Sequence, residues 1–102
     1  MLQRPDVGVQ RILELADFIE GLAPERFSMS SWGLTEEPRC ICGWYNQIHG
    51  HFDKMDWRQA AEGLGLDEVT ARTLFTHGDW RKSTPKGAAR VLRHLAVTGE
   101  LP

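Results

Sequence analysis

DVGVQRILELADFIEGL, residues Asp6 to Leu22, places its apolar side chains at helical spacing. Val9, Ile12, Leu13, Ala16 and Ile19 share one face, and Leu15, Phe18 and Leu22 widen it past half the circumference. So wide a stripe predicts a central helix touched from several sides. Asp6 is its expected N-cap, Gln10, Glu14 and Asp17 its wetted strip, and Gly21 with Pro24 its end.

Outward from this helix, residues 23–37 combine Pro24, hydroxyl residues and Gly33 with Phe27, Met29, Trp32 and Leu34. That pattern predicts an irregular connection anchored onto the core. A second helix is expected from about Pro38 to Gly50, because Ile41, Trp44, Tyr45 and Ile48 fall at i, i+3, i+4 and i+7 and so form one buried face. Asp56 with Gln59 makes a capping pair for a short helix carrying Trp57, Ala60, Ala61 and Leu64. Gly65 stops that helix, and Asp67 caps the next, from which Ala71, Leu74 and Phe75 face inward. After the loop Thr76 to Ser83, Thr84 and Pro85 open a last helix that Gly99 closes. With no period-2 strand, the expectation is an all-α, compact bundle of about five helices forming one domain over residues 1–102.

Composition agrees with a globular chain: 102 residues, 41% hydrophobic and 25% charged, with a formal charge of −2 too small to announce a polyanionic partner. The charge is unevenly placed. Arg81, Lys82, Lys86, Arg90 and Arg93 lie between Trp80 and Gly99 with no acid among them. On the last helix Ala88, Val91, Leu92, Leu95 and Ala96 occupy one face, while Lys86, Arg90 and Arg93 cluster within about 60° on the other. Trp80, between Asp79 and Arg81, reads either as a lid on the core or as an exposed anchor beside this patch.

Two cysteines, Cys40 and Cys42, are too few and too close to staple a secreted scaffold, which points to a reducing cytoplasm. Together with His49 and His51 they offer zinc's usual donor types. Residues two apart on a helix point away from each other, however, so structural cysteines are the expectation and no metal is assigned. The apolar residues near the N-terminus are soon interrupted by Arg11, Glu14 and Asp17, so neither a signal peptide nor a transmembrane run is expected. There is no Gly-rich phosphate loop, nucleophile elbow or His-Glu-x-x-His pair. The chain is therefore read as a non-enzyme with no cofactor, no membrane and no small-molecule substrate.

The segment Trp57 to Phe75 resembles the DNA-binding helix-turn-helix signature. Ala61 and Gly65 hold its small and turn positions, and Ala60, Leu64, Leu66, Ala71 and Leu74 hold its apolar ones. The resemblance implies that Asp67 to Phe75 enters the major groove with Glu68, Arg72 and Thr73 nearest the bases. Asp67 and Glu68 would then bring negative charge toward phosphates, offset by Arg72 alone.

Over most of its length the chain also resembles a family of small helical proteins of bacteria and their phages. The shared features are Leu13 to Leu22, Pro24 to Phe27, Cys40-Ile41-Cys42-Gly43-Trp44, Leu64-Gly65-Leu66 with Leu74-Phe75, and Thr84-Pro85 through Leu92. Its most particular element is Cys-Ile-x-Gly-Trp, where relatives tend to carry a small residue at the position of Cys42. The resemblance implies a fold and an origin. By analogy with phage proteins that block host proteins, anti-CRISPR inhibitors among them, the expected function is a binding module that occludes a host protein or nucleoprotein complex. Trp80, Arg81, Lys82, Lys86, Arg90 and Arg93 would meet its acidic surface. The alternatives are a helix-turn-helix DNA-binding regulator and a structural or assembly subunit.

Overall fold

The computed structural model describes residues 5–29, 38–49, 57–75 and 83–102. They form five α-helices and no strand: α1 (Pro5–Glu20), α2 (Ile41–Ile48), α3 (Trp57–Leu64), α4 (Glu68–Phe75) and α5 (Pro85–Thr98), with one 3-10 turn at Pro24–Arg26. The protein is an all-α bundle.

As the width of its apolar stripe predicts, α1 is central. It packs most extensively against α5 and also meets α2 and α3, while α4 joins chiefly through α3. Ile12, Leu15, Ala16 and Ile19 of α1 are buried with Ile41, Leu64, Leu74, Leu92 and Leu95 of the other helices. At about 25 cal/mol per Å² of apolar surface removed from water, this shared core is the main stabilising term. Ala16, Ala88 and Ala89 are fully buried too, and their small side chains let helices approach closely. Gly8 shows the same economy of space, since a Cβ there would stand 2.5 Å from the Leu64 carbonyl oxygen.

Local chemistry sets several ends where the sequence predicts them. The Leu66 amide donates to the Ala61 carbonyl at 2.9 Å and the Gly65 amide to that of Glu62 at 3.1 Å, closing α3 in a Schellman turn with Gly65 at φ 71°. Thr84 caps α5 by accepting from the Gly87 amide at 3.0 Å, and Gly99 ends it at φ 79°. The expected cap Asp56, the anchors Trp32 and Leu34, and the loop Thr76 to Lys82 lie outside the described residues.

Four expectations are corrected. Asp6 falls inside α1, which already starts at Pro5. Leu13 is 38% and Phe18 41% exposed, because the partner helices cover less of the stripe than its width offers. Ile48, placed on the buried face of α2, is 45% exposed at that helix's last residue. The start of α2 is Ile41 rather than Pro38, since Arg39 runs beside Phe27 as an isolated bridge: the Ser28 amide donates to the Arg39 carbonyl at 3.1 Å, and the Arg39 amide to that of Arg26 at 3.2 Å.

Candidate functional site: the outer face of the last helix

On α5, Ala88, Leu92 and Leu95 turn inward and leave Lys86 and Arg90 exposed on the opposite side. A cavity of about 590 Å³ opens there, lined by Ser83, Thr84, Lys86, Gly87, Arg90, Val91, His94 and Pro102. Its volume falls within the span usual for ligand and peptide clefts. Gly87, Val91 and Pro102 give it an apolar wall. Lys86 and Arg90 give it positive charge, and among the described residues neither forms an ion pair.

Of the six residues expected to form the basic patch, only Lys86 and Arg90 are placed there. Trp80, Arg81 and Lys82 lie outside the described residues. Arg93, expected to point outward with the others, turns instead to α1. Its Nη1 donates to Glu20 Oε2 at 3.0 Å, and its Nη2 donates to Glu20 Oε1 at 2.9 Å and to Asp17 Oδ1 at 2.7 Å. The Arg93 hydrogen bonds, helped by its charge, hold the Glu20 carboxyl below its ordinary range. His94 is a site residue that the sequence reading passed over. Eight residues after Lys86 on a helix of 3.6 residues per turn, it sits about 80° round from it, so its position was available from periodicity.

The second candidate surface is the α3–α4 pair. All six apolar and small positions of the helix-turn-helix pattern, Ala60, Ala61, Leu64, Leu66, Ala71 and Leu74, are buried, and Gly65 takes the positive φ that the turn needs. The Asp67 carboxylate accepts from the Thr70 amide at 2.7 Å, which caps α4 and holds that carboxyl down at about 2. Glu68, Arg72 and Thr73 are exposed on α4, as expected, with Val69 beside them at 75% exposure. These side chains are engaged locally. Arg72 Nη2 lies 3.3 Å from Glu68 Oε1, the Arg72 guanidinium is 5.6 Å from the Trp57 ring centre, and the Thr73 hydroxyl donates to the Val69 carbonyl at 3.0 Å.

The Cys-Ile-x-Gly-Trp element is structural in this fold. Cys40 caps α2, its Sγ accepting from the Gly43 amide at 3.3 Å; Ile41 is buried without exposure; and Trp44 donates Nε1–H to the Arg26 carbonyl at 3.1 Å. The guanidinium of Arg39 lies 4.9 Å and that of Arg26 5.2 Å from the Trp44 ring centre, so the ring is flanked by two cations. Burial pushes the Cys40 thiol up. Cys42, also buried, accepts from Asn46 Nδ2 at 3.8 Å, and neither cysteine is in a disulfide. Among the described residues, no three His, Cys, Asp or Glu side chains converge on a metal position, and no helix is long and apolar enough to cross a membrane.

Compared with protein-family models, curated proteins and solved structures, the chain matches none.

Proposed function

We propose that this chain is a non-enzymatic binding module that docks an acidic segment of a host protein or nucleoprotein complex on the outer face of α5 and blocks it by occupancy. The observation that carries this reading is the pairing of an apolar-walled cavity with two cations, Lys86 and Arg90, that have no ion-pair partner among the described residues. Apolar burial would supply affinity, and the cations would steer the encounter and set register. Arg93 has no part in the contact, since it joins α5 to α1. Small size and the bacterial and phage resemblance favour an inhibitor of the anti-defence kind, by analogy. Two buried thiols two positions apart, neither in a disulfide, favour a reducing cytoplasm as its place of action.

Quantitative affinity capture from bacterial lysate tests this, comparing the wild type with Lys86→Glu/Arg90→Glu at matched circular dichroism. The expected result is loss of the captured species in the double variant. Equal capture by both proteins rejects the surface.

A second reading, a DNA-binding regulator, is favoured by the helix-turn-helix geometry of Trp57 to Phe75, with Glu68, Arg72 and Thr73 presented by α4. It predicts an electrophoretic shift of duplex DNA that weakens steeply with salt. Absence of any shift at low salt removes it.

A further inference from the structure

Resting on the reading of the α5 cleft as the site of an acidic partner, we infer that the docked segment is itself an α-helix. Its acids recur at every fourth residue and meet Lys86, Arg90 and His94 in turn. These three side chains are exposed and follow one another at intervals of four, so they form one oblique row along the outer face of α5. Successive members stand about 6 Å apart along the axis and about 40° apart around it. His94 lines the same cleft as the two cations, and a histidine ring has an N–H to donate to a carboxylate whether it is charged or neutral.

The extent of the cleft suits a long guest. Its lining begins with Ser83 and Thr84 ahead of α5 and ends with Pro102 beyond it, so it follows a helix of 14 residues. That length is about 21 Å, and a compact anion would cover only one end. A row at i, i+4 and i+8 is also the ridge that helices use to pack. Beside it the row of Gly87 and Val91 makes the groove, and Gly87 brings no side chain to hold a neighbour off. The matching ridge of a second helix enters such a groove at a crossing angle of about 50°.

Backbone chemistry separates a helix from an extended segment. An extended guest brings N–H and C=O groups that need partners wherever apolar surface covers them. Extended peptides find those partners at the edge of a sheet, and the described residues contain no strand. The backbone along the middle of α5 is already paired within that helix. A helical guest satisfies its own backbone and presents side chains alone, which is all that this face can receive.

Nitrogen-15 NMR titration of the full chain tests this with three probes. One is an alanine- and leucine-based helical peptide of about 16 residues with glutamate at every fourth position. The second is the same peptide with proline at its centre, which breaks the helix. The third is an oligothymidylate. The helical peptide should move the amides of Lys86, Gly87, Arg90, Val91 and His94, and should bind at least about tenfold tighter than its proline form, or about 1.4 kcal/mol. His94→Glu should weaken it about as much, and lysine in place of the end glutamate that faces position 94 should restore the loss. Equal affinity for the two peptides overturns the helix and leaves the acidic segment standing, as does a helix bound without regard to His94→Glu. Binding of neither peptide removes both, and tighter binding of the oligothymidylate overturns the helix in favour of a nucleic-acid strand.

Discussion

Arg93 meets both carboxylate oxygens of Glu20, Nη1 to Oε2 at 3.0 Å and Nη2 to Oε1 at 2.9 Å, so the middle of α5 is forked onto the last turn of α1. Exposed ion pairs usually contribute little, but a bidentate pair shared with a third group, here Asp17, is the geometry in which they count. Arg93→Gln should therefore lower the melting temperature by a few degrees, and Arg93→Lys by nearly as much, because an ammonium cannot reproduce the fork. Arg90→Gln should leave it unchanged. Thermal unfolding followed by circular dichroism separates the three.

Acid should loosen the domain in a defined window. Glu20 and Asp67 both have folded-state values depressed from 4.5 and 3.8, the first by Arg93 and the second, to about 2, by the Thr70 amide. Such groups contribute stability that is complete above the unfolded-state value and is lost as protons bind. Urea midpoints should hold from about pH 7 to 5 and fall between about pH 4 and 2. Asp67→Asn keeps a capping side chain but removes its titration, so its midpoint should fall less over that interval.

Gly8→Ala sets two effects against each other. Alanine is favoured over glycine inside a helix by about 1 kcal/mol. Its Cβ would lie 2.5 Å from the Leu64 carbonyl oxygen, a backbone atom that cannot swing aside. Forced shifts of this kind cost about 1–3 kcal/mol, so after the propensity gain the variant should be less stable by up to about 2 kcal/mol. Chemical denaturation decides the sign, and a stabilised variant would show that α1 and α3 can separate without loss.

Trp44→Phe keeps an aromatic ring between Arg26 and Arg39, but it deletes the indole N–H that donates to the Arg26 carbonyl and shrinks the buried ring. The carbonyl loses its partner at a part-buried site, for which about 1–2 kcal/mol is the expected loss. Trp44→Ala also removes a buried ring and should cost about 3–5 kcal/mol. The hydrogen bond is absent from both variants, so the gap between them in equilibrium unfolding measures what the retained phenyl ring contributes.

The helices were legible wherever a single side chain or glycine decides the backbone: Gly65, Asp67, Thr84 and Gly99 each do in space what their residue types suggest in the sequence. Periodicity placed α1 at the centre but could not say how much of its stripe other helices would reach, hence Phe18 and Leu13 at the surface. The start of α2 was misread because a thiol is not among the usual caps and Pro38 looked like a helix opener, whereas Cys40 holds the cap and Arg39 is occupied in a bridge. Spacing along α5 set Arg93 beside Lys86 and Arg90. Its carboxylate partners lie 73 and 76 positions earlier, a separation that no local pattern encodes.

Because Cys40 is both the hydrogen-bond acceptor that closes the start of α2 and a thiol sealed from solvent, its chemical availability is tied to the fraying of that helix end. Burial that disfavours the thiolate adds a second barrier. A disulfide reagent such as Ellman's should thus react only during transient opening, and the slow phase of its colour change becomes a stopwatch for how often this corner of the molecule breathes.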